Sequence, residues 1–245
     1  MRRMFLVAAA LLGLAALPAL AQEAQIRRAL ETQLGGARID GVQPTPVPGI
    51  FEVRLQSREG PQIFYVTANG THLFDGSLIE LKSSRNLTEE RLRKLTAIEF
   101  SALPLDLAVK IQRGSGKHVM AMFTDPYCPY CRRFEQTLLQ MDDIAVYVFT
   151  YPVIRPENAD HSRAVWCSKD RAKAWLDLAA AERAIVPEAP ANCPNPVDKV
   201  LELGRSLRVN GTPTLFFADG ERAGGGMELG AIRAKLDAVA KQLKK

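Results

Sequence analysis

Two cysteines flanking a proline and a tyrosine, Cys128-Pro129-Tyr130-Cys131, follow the apolar run Val119-Met120-Ala121-Met122-Phe123 and precede a helix-forming stretch. A strand that delivers a C-x-x-C to the first turn of a helix predicts a redox centre. The first sulfur is then exposed beside unsatisfied backbone N–H groups, whose dipole favours thiolate over thiol. The second cysteine lies one turn later on the same face, so the pair can hold two thiols or one disulfide. Pro129 suits the first helical position, where its missing N–H costs nothing. This spacing predicts Cys128 as the attacking sulfur near the N-cap and a shielded Cys131 that resolves the mixed disulfide. Arg132 and Arg133 add positive potential.

Other chemistries of a C-x-x-C are weighed against this one. Covalent haem attachment needs His directly after the second cysteine, where Arg132 stands. A four-cysteine zinc site needs a second close pair, but Cys167 and Cys193 have 25 residues between them. A structural Cys128–Cys131 disulfide stays open. Cys167 and Cys193 are expected to form a separate structural disulfide, the one connectivity of three that leaves the C-x-x-C self-contained. Closing that loop is worth roughly 3.5 kcal/mol in the chain-entropy model. A second redox relay is the alternative. Neither metal nor cofactor is expected.

Met1-Arg2-Arg3, the apolar stretch Phe5 to Leu17 and the small residues Ala19-Leu20-Ala21 read as a secretion signal cleaved after Ala21. The apolar run is shorter than the roughly 20 residues that span a bilayer. The remaining 224 residues suffice for two domains, and without Arg2 and Arg3 the formal charge falls from +5 to +3. With no long basic block, nucleic acid is not an expected partner. Export to an oxidising compartment makes disulfides permissible.

The elements that must position these residues fall in two blocks. From Gln22 to Leu34, Ile26, Leu30 and Leu34 recur at helical spacing until Gly35-Gly36. Val42 to Gly49, with three prolines, reads as an extended connector, and Phe51, Val53 and Leu55 alternate with polar residues as in a half-buried strand. Ile63–Val66, His72–Phe74 and Leu78–Leu81 read as strands separated by the hairpin signals Asn69-Gly70 and Asp75-Gly76. Together they predict a small α+β domain over residues 22–84. Asn86-Leu87-Thr88-Glu89 offers an N-cap for a helix from about Leu87 to Phe100, within a linker spanning 85–104. Residues 105–245 then alternate buried strands and helices, an α/β pattern: Val119–Thr124, a helix from Cys128 to about Met141, Ile144–Tyr151 and Leu215–Phe217. Leu229, Ile232, Leu236, Val239 and Leu243 predict a docked C-terminal helix.

Gly211-Thr212-Pro213-Thr214 precedes Leu215-Phe216-Phe217. Beside a C-x-x-C, this resembles the thioredoxin superfamily, in which a cis proline lies against the active-site sulfurs; Thr212 and Pro213 match the positions of that substrate-facing loop. The closer resemblance is to the periplasmic disulfide isomerases of the DsbC and DsbG type. It is carried by Phe123-Thr124-Asp125-Pro126-Tyr127-Cys128-Pro129-Tyr130-Cys131, by Trp166-Cys167-Ser168-Lys169-Asp170 and by Gly211-Thr212-Pro213. The resemblance implies a cystatin-like N-terminal dimerisation domain, a linker helix, a thioredoxin-like catalytic domain with a helical insertion, and a homodimer. Pro129 is the DsbG-like choice, and the Cys167–Cys193 pair the DsbC-like one.

The expected function is isomerisation or reduction of wrong disulfides in unfolded or misoxidised exported proteins, with chaperone-like binding of unfolded chains in the periplasm. The resemblance also implies a membrane thiol reductase of the DsbD type that keeps the pair reduced. Alternatives are a sulfenic acid reductase, a thiol oxidase and a holdase with an incidental redox pair. Asp125 is a candidate proton carrier for Cys131. His118 reads as a loop residue, and His72 and His161 as surface residues. Asn69, Asn86 and Asn210, each in an Asn-x-Thr triplet, read as turns and caps.

Overall fold

A computed structural model describes residues 16–33, 38–57, 60–155, 159–179, 189–190 and 192–243. Residues 1–15 of the expected leader, and Pro187 in the return of the helical insertion, lie outside the described residues. The chain divides into two compact units, residues 1–96 and 97–245.

In the first unit, helix α1 (Ala16–Gln33) begins upstream of the expected Gln22 and buries Ile26 and Leu30. They pack on Val42, Phe51, Val53, Leu55 and Val66 of an antiparallel sheet. Its order is β1 (Arg38–Pro44), β2 (Ile50–Ser57), β3 (Gly60–Thr67) and β4 (Leu73–Phe74). Strand β1 replaces the first part of the expected connector: it is an edge strand, where the proline at its end deprives no neighbour of a ladder bond. Asn69-Gly70 joins β3 to β4, with Asn69 Oδ1 accepting from the Thr71 N–H at 3.2 Å. Asp75-Gly76 does not close a hairpin. The strand after it, β5 (Ile79–Glu80), pairs with β6 (Arg85–Asn86) in a separate ribbon. Glu52, placed on the solvent face by alternation, is buried and ion-paired with Arg91 at 3.2 Å. Helix α2 (Leu87–Leu95) has Asn86 as its N-cap, accepting from the Glu89 N–H at 3.1 Å. It ends before the expected Phe100, where the Thr96 hydroxyl donates to the Leu92 carbonyl at 2.8 Å.

The second unit holds a five-stranded sheet of order β11 (Arg222–Gly224), β10 (Thr214–Phe217), β8 (His118–Thr124), β9 (Ile144–Thr150) and β7 (Val109–Arg113). Only β8 and β9 pair in parallel, joined through helix α3 (Pro129–Leu138). Strands covered on both faces read as continuous apolar runs, the reason β8, β9 and β10 are visible in the sequence. On one face Met120, Met122, Val146, Val148 and Leu215 pack with α3, with helix α5 (Arg171–Ala179) through Trp175 and Leu178, and with helix α7 (Leu229–Gln242) through Ile232 and Leu236. On the other face Ala121, Phe123, Phe149 and Phe216 meet Val200 of helix α6 (Val197–Ser206). Helix α4 (Ala159–Cys167) completes the insertion with α5. Leu243, expected in the C-terminal docking face, lies past the end of α7 and is exposed.

Candidate active site

Strand β8 ends by turning its last residues into the start of α3. The carboxylate of Asp125, fully buried at this turn, accepts three backbone N–H bonds: Oδ1 from Tyr127 at 2.8 Å, and Oδ2 from Val153 and Ile154 at 2.9 Å each. Its carbonyl accepts from the Cys128 N–H at 3.1 Å. With bonds to both carboxylate oxygens, Asp125 braces the loop, the structural role that a helix-start carboxylate commonly has.

Cys128 is the N-cap of α3, and Pro129 takes the first helical position. Its sulfur accepts from the Cys131 N–H at 3.4 Å and donates to the Thr212 carbonyl at 3.3 Å. Cys128 and Cys131 are both free thiols. Their exposures, 4% and 1%, correct the expectation of an exposed first sulfur: the loop carrying Thr212 covers it. The Thr212–Pro213 peptide is cis. The loop is held by Thr214 Oγ1 donating to the Gly211 carbonyl at 2.7 Å and the Gly225 N–H donating to the Pro213 carbonyl at 2.8 Å. Tyr130, between the cysteines, is 68% exposed.

Burial pushes the Cys131 thiol up to about 12, and the bond to Cys128 adds to this; the Thr124 hydroxyl is foremost among the groups that oppose it. Thr124 Oγ1 is fully buried and has no conventional hydrogen-bond partner among the described residues. Its hydroxyl donor therefore stands beside the Cys131 sulfur.

One turn after Cys131, Glu135 points into the same packed layer and accepts from Trp175 Nε1 at 2.8 Å. Burial pushes its carboxyl up to about 7, against the lowering effect of that bond. In the sequence the signal for Glu135 is its place between Phe134 and Leu138 on the inward face of α3. Cys167, the last residue of α4, is joined to Cys193 by a disulfide with Cα atoms 6.2 Å apart.

The remaining candidates spread over the unit. His161 of α4 is no bystander at the surface: its Nδ1 is hydrogen-bonded to the Tyr127 hydroxyl. Arg132 lies over the Tyr127 ring at 5.6 Å and donates to the Pro126 carbonyl at 2.9 Å, while Arg133 is exposed. His118 is at the opposite end of β8 from Cys128, bonded to Asp237 and to the Asp143 carbonyl at 2.9 Å each. His72 is exposed beside Thr71. Asn210 lines a pocket next to the Thr212 loop. No group of three or more His, Cys, Asp or Glu side chains among the described residues is placed to hold a metal.

A buried dithiol at a helix start, facing a cis-proline loop on a thioredoxin-like sheet, has counterparts among known proteins. Residues 105–240 match the family described as thioredoxin-like domain, and residues 17–89 that described as disulfide bond isomerase protein N-terminal domain. A probable thiol:disulfide interchange protein DsbC from Bordetella avium is 41% identical over 211 residues, covering 86% of this chain and 73% of that protein. The chain belongs to the DsbC family. The Escherichia coli thiol:disulfide interchange protein DsbC is 27% identical over 206 residues, 82% of this chain and 81% of that one. A crystal structure of a disulfide interchange protein from Neisseria gonorrhoeae superposes with a TM-score of 0.51 at 36% identity, over 57% of this chain and 97% of that one. The α+β domain followed by a thioredoxin-like domain is thus the DsbC arrangement.

Proposed function

We infer that the chain is a thiol–disulfide oxidoreductase that isomerises or reduces wrong disulfides in exported proteins, with Cys128 attacking and Cys131 resolving. The Cys128 thiolate displaces one sulfur of a substrate disulfide. A mixed disulfide forms, and the leaving thiolate either takes a proton or attacks another disulfide of the same substrate. In the second case the thiolate that this releases, or a later one, attacks the substrate sulfur of the mixed disulfide and displaces Cys128 as thiolate, so the substrate departs with its bonds rearranged and no electrons are consumed. If Cys131 attacks first, the substrate leaves as a dithiol and a Cys128–Cys131 disulfide remains. A membrane thiol reductase of the DsbD type is proposed to supply the two electrons that reopen it.

The pair of free thiols at the start of α3, with the Cys128 sulfur 3.3 Å from the Thr212 carbonyl of a cis-proline loop, carries this reading. Burial disfavours the Cys131 thiolate, which slows resolution and gives the mixed disulfide time to rearrange. Thr212 and Pro213 are proposed to receive the substrate backbone as an added extended strand. The Cys167–Cys193 bond, in this reading, staples the insertion and takes no part in exchange.

A homodimer formed through residues 22–84 is supported by the family of that domain and by Leu73, Phe74, Ile79 and Leu81, large apolar side chains left exposed there. Residues 85–104 are proposed as the linker. Exposed Tyr130, Val153 and Ile154 offer apolar surface for unfolded chains beside the site. A leader cleaved after Ala21 and a periplasmic location complete the reading; no helix among the described residues is long and apolar enough to cross a membrane.

Trapping tests it. Cys131→Ala should accumulate mixed disulfides on Cys128 and Cys128→Ala should fail to rescue a scrambled multi-disulfide protein. Undiminished rescue by Cys128→Ala would refute the assignment.

A further inference from the structure

Beside the loop that touches the Cys128 sulfur is a cavity of about 280 Å³, which Thr212 lines on the side shared with the site. Its wall includes two arginines, Arg208 just past the end of α6 and Arg222 on the edge strand β11. Arg222 donates to the Leu207 carbonyl at 2.9 Å, which holds it in place, while Arg208 is exposed. Burial and the nearby Arg208 charge pull the Arg222 guanidinium below its ordinary range, so the two cations meet without neutralising each other. Among the described residues no carboxylate pairs with either. The acids nearest Arg222 in sequence, Asp219 and Glu221, hold Lys235 at 2.8 and 2.9 Å. Among the described residues, a Cβ added at Gly211, Gly224 or Gly225 of the lining would meet no atom within 4 Å. Arg208 has φ +53°, a conformation that a non-glycine residue rarely adopts and that local structure must hold.

We propose that this arginine-lined pocket is a specificity site for an acidic side chain flanking the attacked half-cystine of a substrate. The proposal rests on the exchange reading, and adds which substrates are attacked first. An extended chain bonded to Cys128 and laid along the Thr212 loop carries its neighbouring side chains past the pocket, since alternate residues repeat every ~7 Å. A carboxylate there accepts from two guanidinium groups that otherwise repel each other across a half-buried space. Such steering acts on the second-order rate of attack and weakens with salt.

The test uses the reduced full chain and short disulfide peptides that differ only in Glu, Gln or Lys beside the half-cystine. Rates are measured at about 20 mM and about 500 mM salt. The expected result at low salt is attack about tenfold faster on the Glu than on the Gln peptide, slower still on Lys, with the ratio falling toward one at high salt. Arg208→Gln and Arg222→Gln should each reduce the low-salt ratio to near one, and Arg208→Lys should keep part of it. Equal rates for Glu and Gln peptides on the unmodified chain would overturn the pocket and leave the exchange reading standing. Failure to attack any of the three peptides would overturn the exchange reading itself.

Discussion

Replacing Glu135 by Gln isolates the energetic cost of a buried carboxyl behind the redox helix. The folded chain holds this carboxyl up to about 7, against 4.5 for an ordinary glutamate. Between these values the folded state binds a proton that the unfolded state has given up. The stability due to this group is therefore complete below about pH 4.5 and lost as pH rises through about 7. The difference of about 2.5 units amounts to about 3 kcal/mol at about 1.4 kcal/mol per unit. Gln keeps an oxygen for Trp175 Nε1 and the volume of the side chain, but has no charge to bury. The variant should match the parent near pH 4 and exceed it by up to about 3 kcal/mol at pH 8. Urea unfolding followed by tryptophan fluorescence measures this directly, because Trp166 and Trp175, the two tryptophans of the chain, both lie in residues 97–245. Titrations elsewhere cancel in the difference between the two proteins. A gap independent of pH would mean that only the hydrogen bond had changed, and a variant less stable than the parent at pH 8 would refute the reasoning outright.

Thr124→Val removes the hydroxyl that opposes the rise of the Cys131 thiol, so ionisation of Cys131 should become harder and mixed disulfides should persist longer; single-turnover release of a trapped peptide, slowed severalfold, checks this. Leu81→Asp places a charge on a side chain that is 90% exposed in the chain alone, and light scattering should show loss of the dimer with the rate of attack on a small peptide disulfide unchanged. An unaltered mass would remove Leu81 from the dimer surface.

The elements legible in the sequence are those specified by short-range pattern. Strand β8, the N-capped start of α3, and β9 and β10 follow from apolar runs covered on both faces and from a proline after a cysteine. Strands β7 and β11 escaped because both are at sheet edges, where half the residues face solvent and the runs are five and three residues long. Strand β1 was hidden by Gly41 and Pro44, residues that usually mark connectors. At the site, the neighbourhood of Cys128 was readable because its N-cap and first turn lie within four residues. Burial of the Cys128 sulfur was not, since the covering carbonyl of Thr212 is 84 positions away. The same holds for Arg208 and Arg222, where Arg222 on β11 reaches the Leu207 carbonyl 15 positions away, and for Glu135, whose partner Trp175 belongs to a different helix.

The placements of Asp125 and Thr124 bear jointly on whether the mixed disulfide rearranges or is resolved. Resolution requires the Cys131 proton to leave a sulfur that is 1% exposed. The carboxylate nearest in sequence already accepts three backbone N–H bonds, which leaves Oδ1 with its one remaining acceptor site. The Thr124 hydroxyl can stabilise the thiolate once formed but is far too weak a base to generate it. Escape through Cys131 is therefore slow unless water or the departing substrate thiolate removes the proton. That thiolate arises only after attack by Cys128, and while it seeks a proton it can also attack the next disulfide of its own chain. On the proposed assignment of Cys131 as the resolving sulfur, the burial that disfavours its thiolate slows reduction and leaves more time for rearrangement.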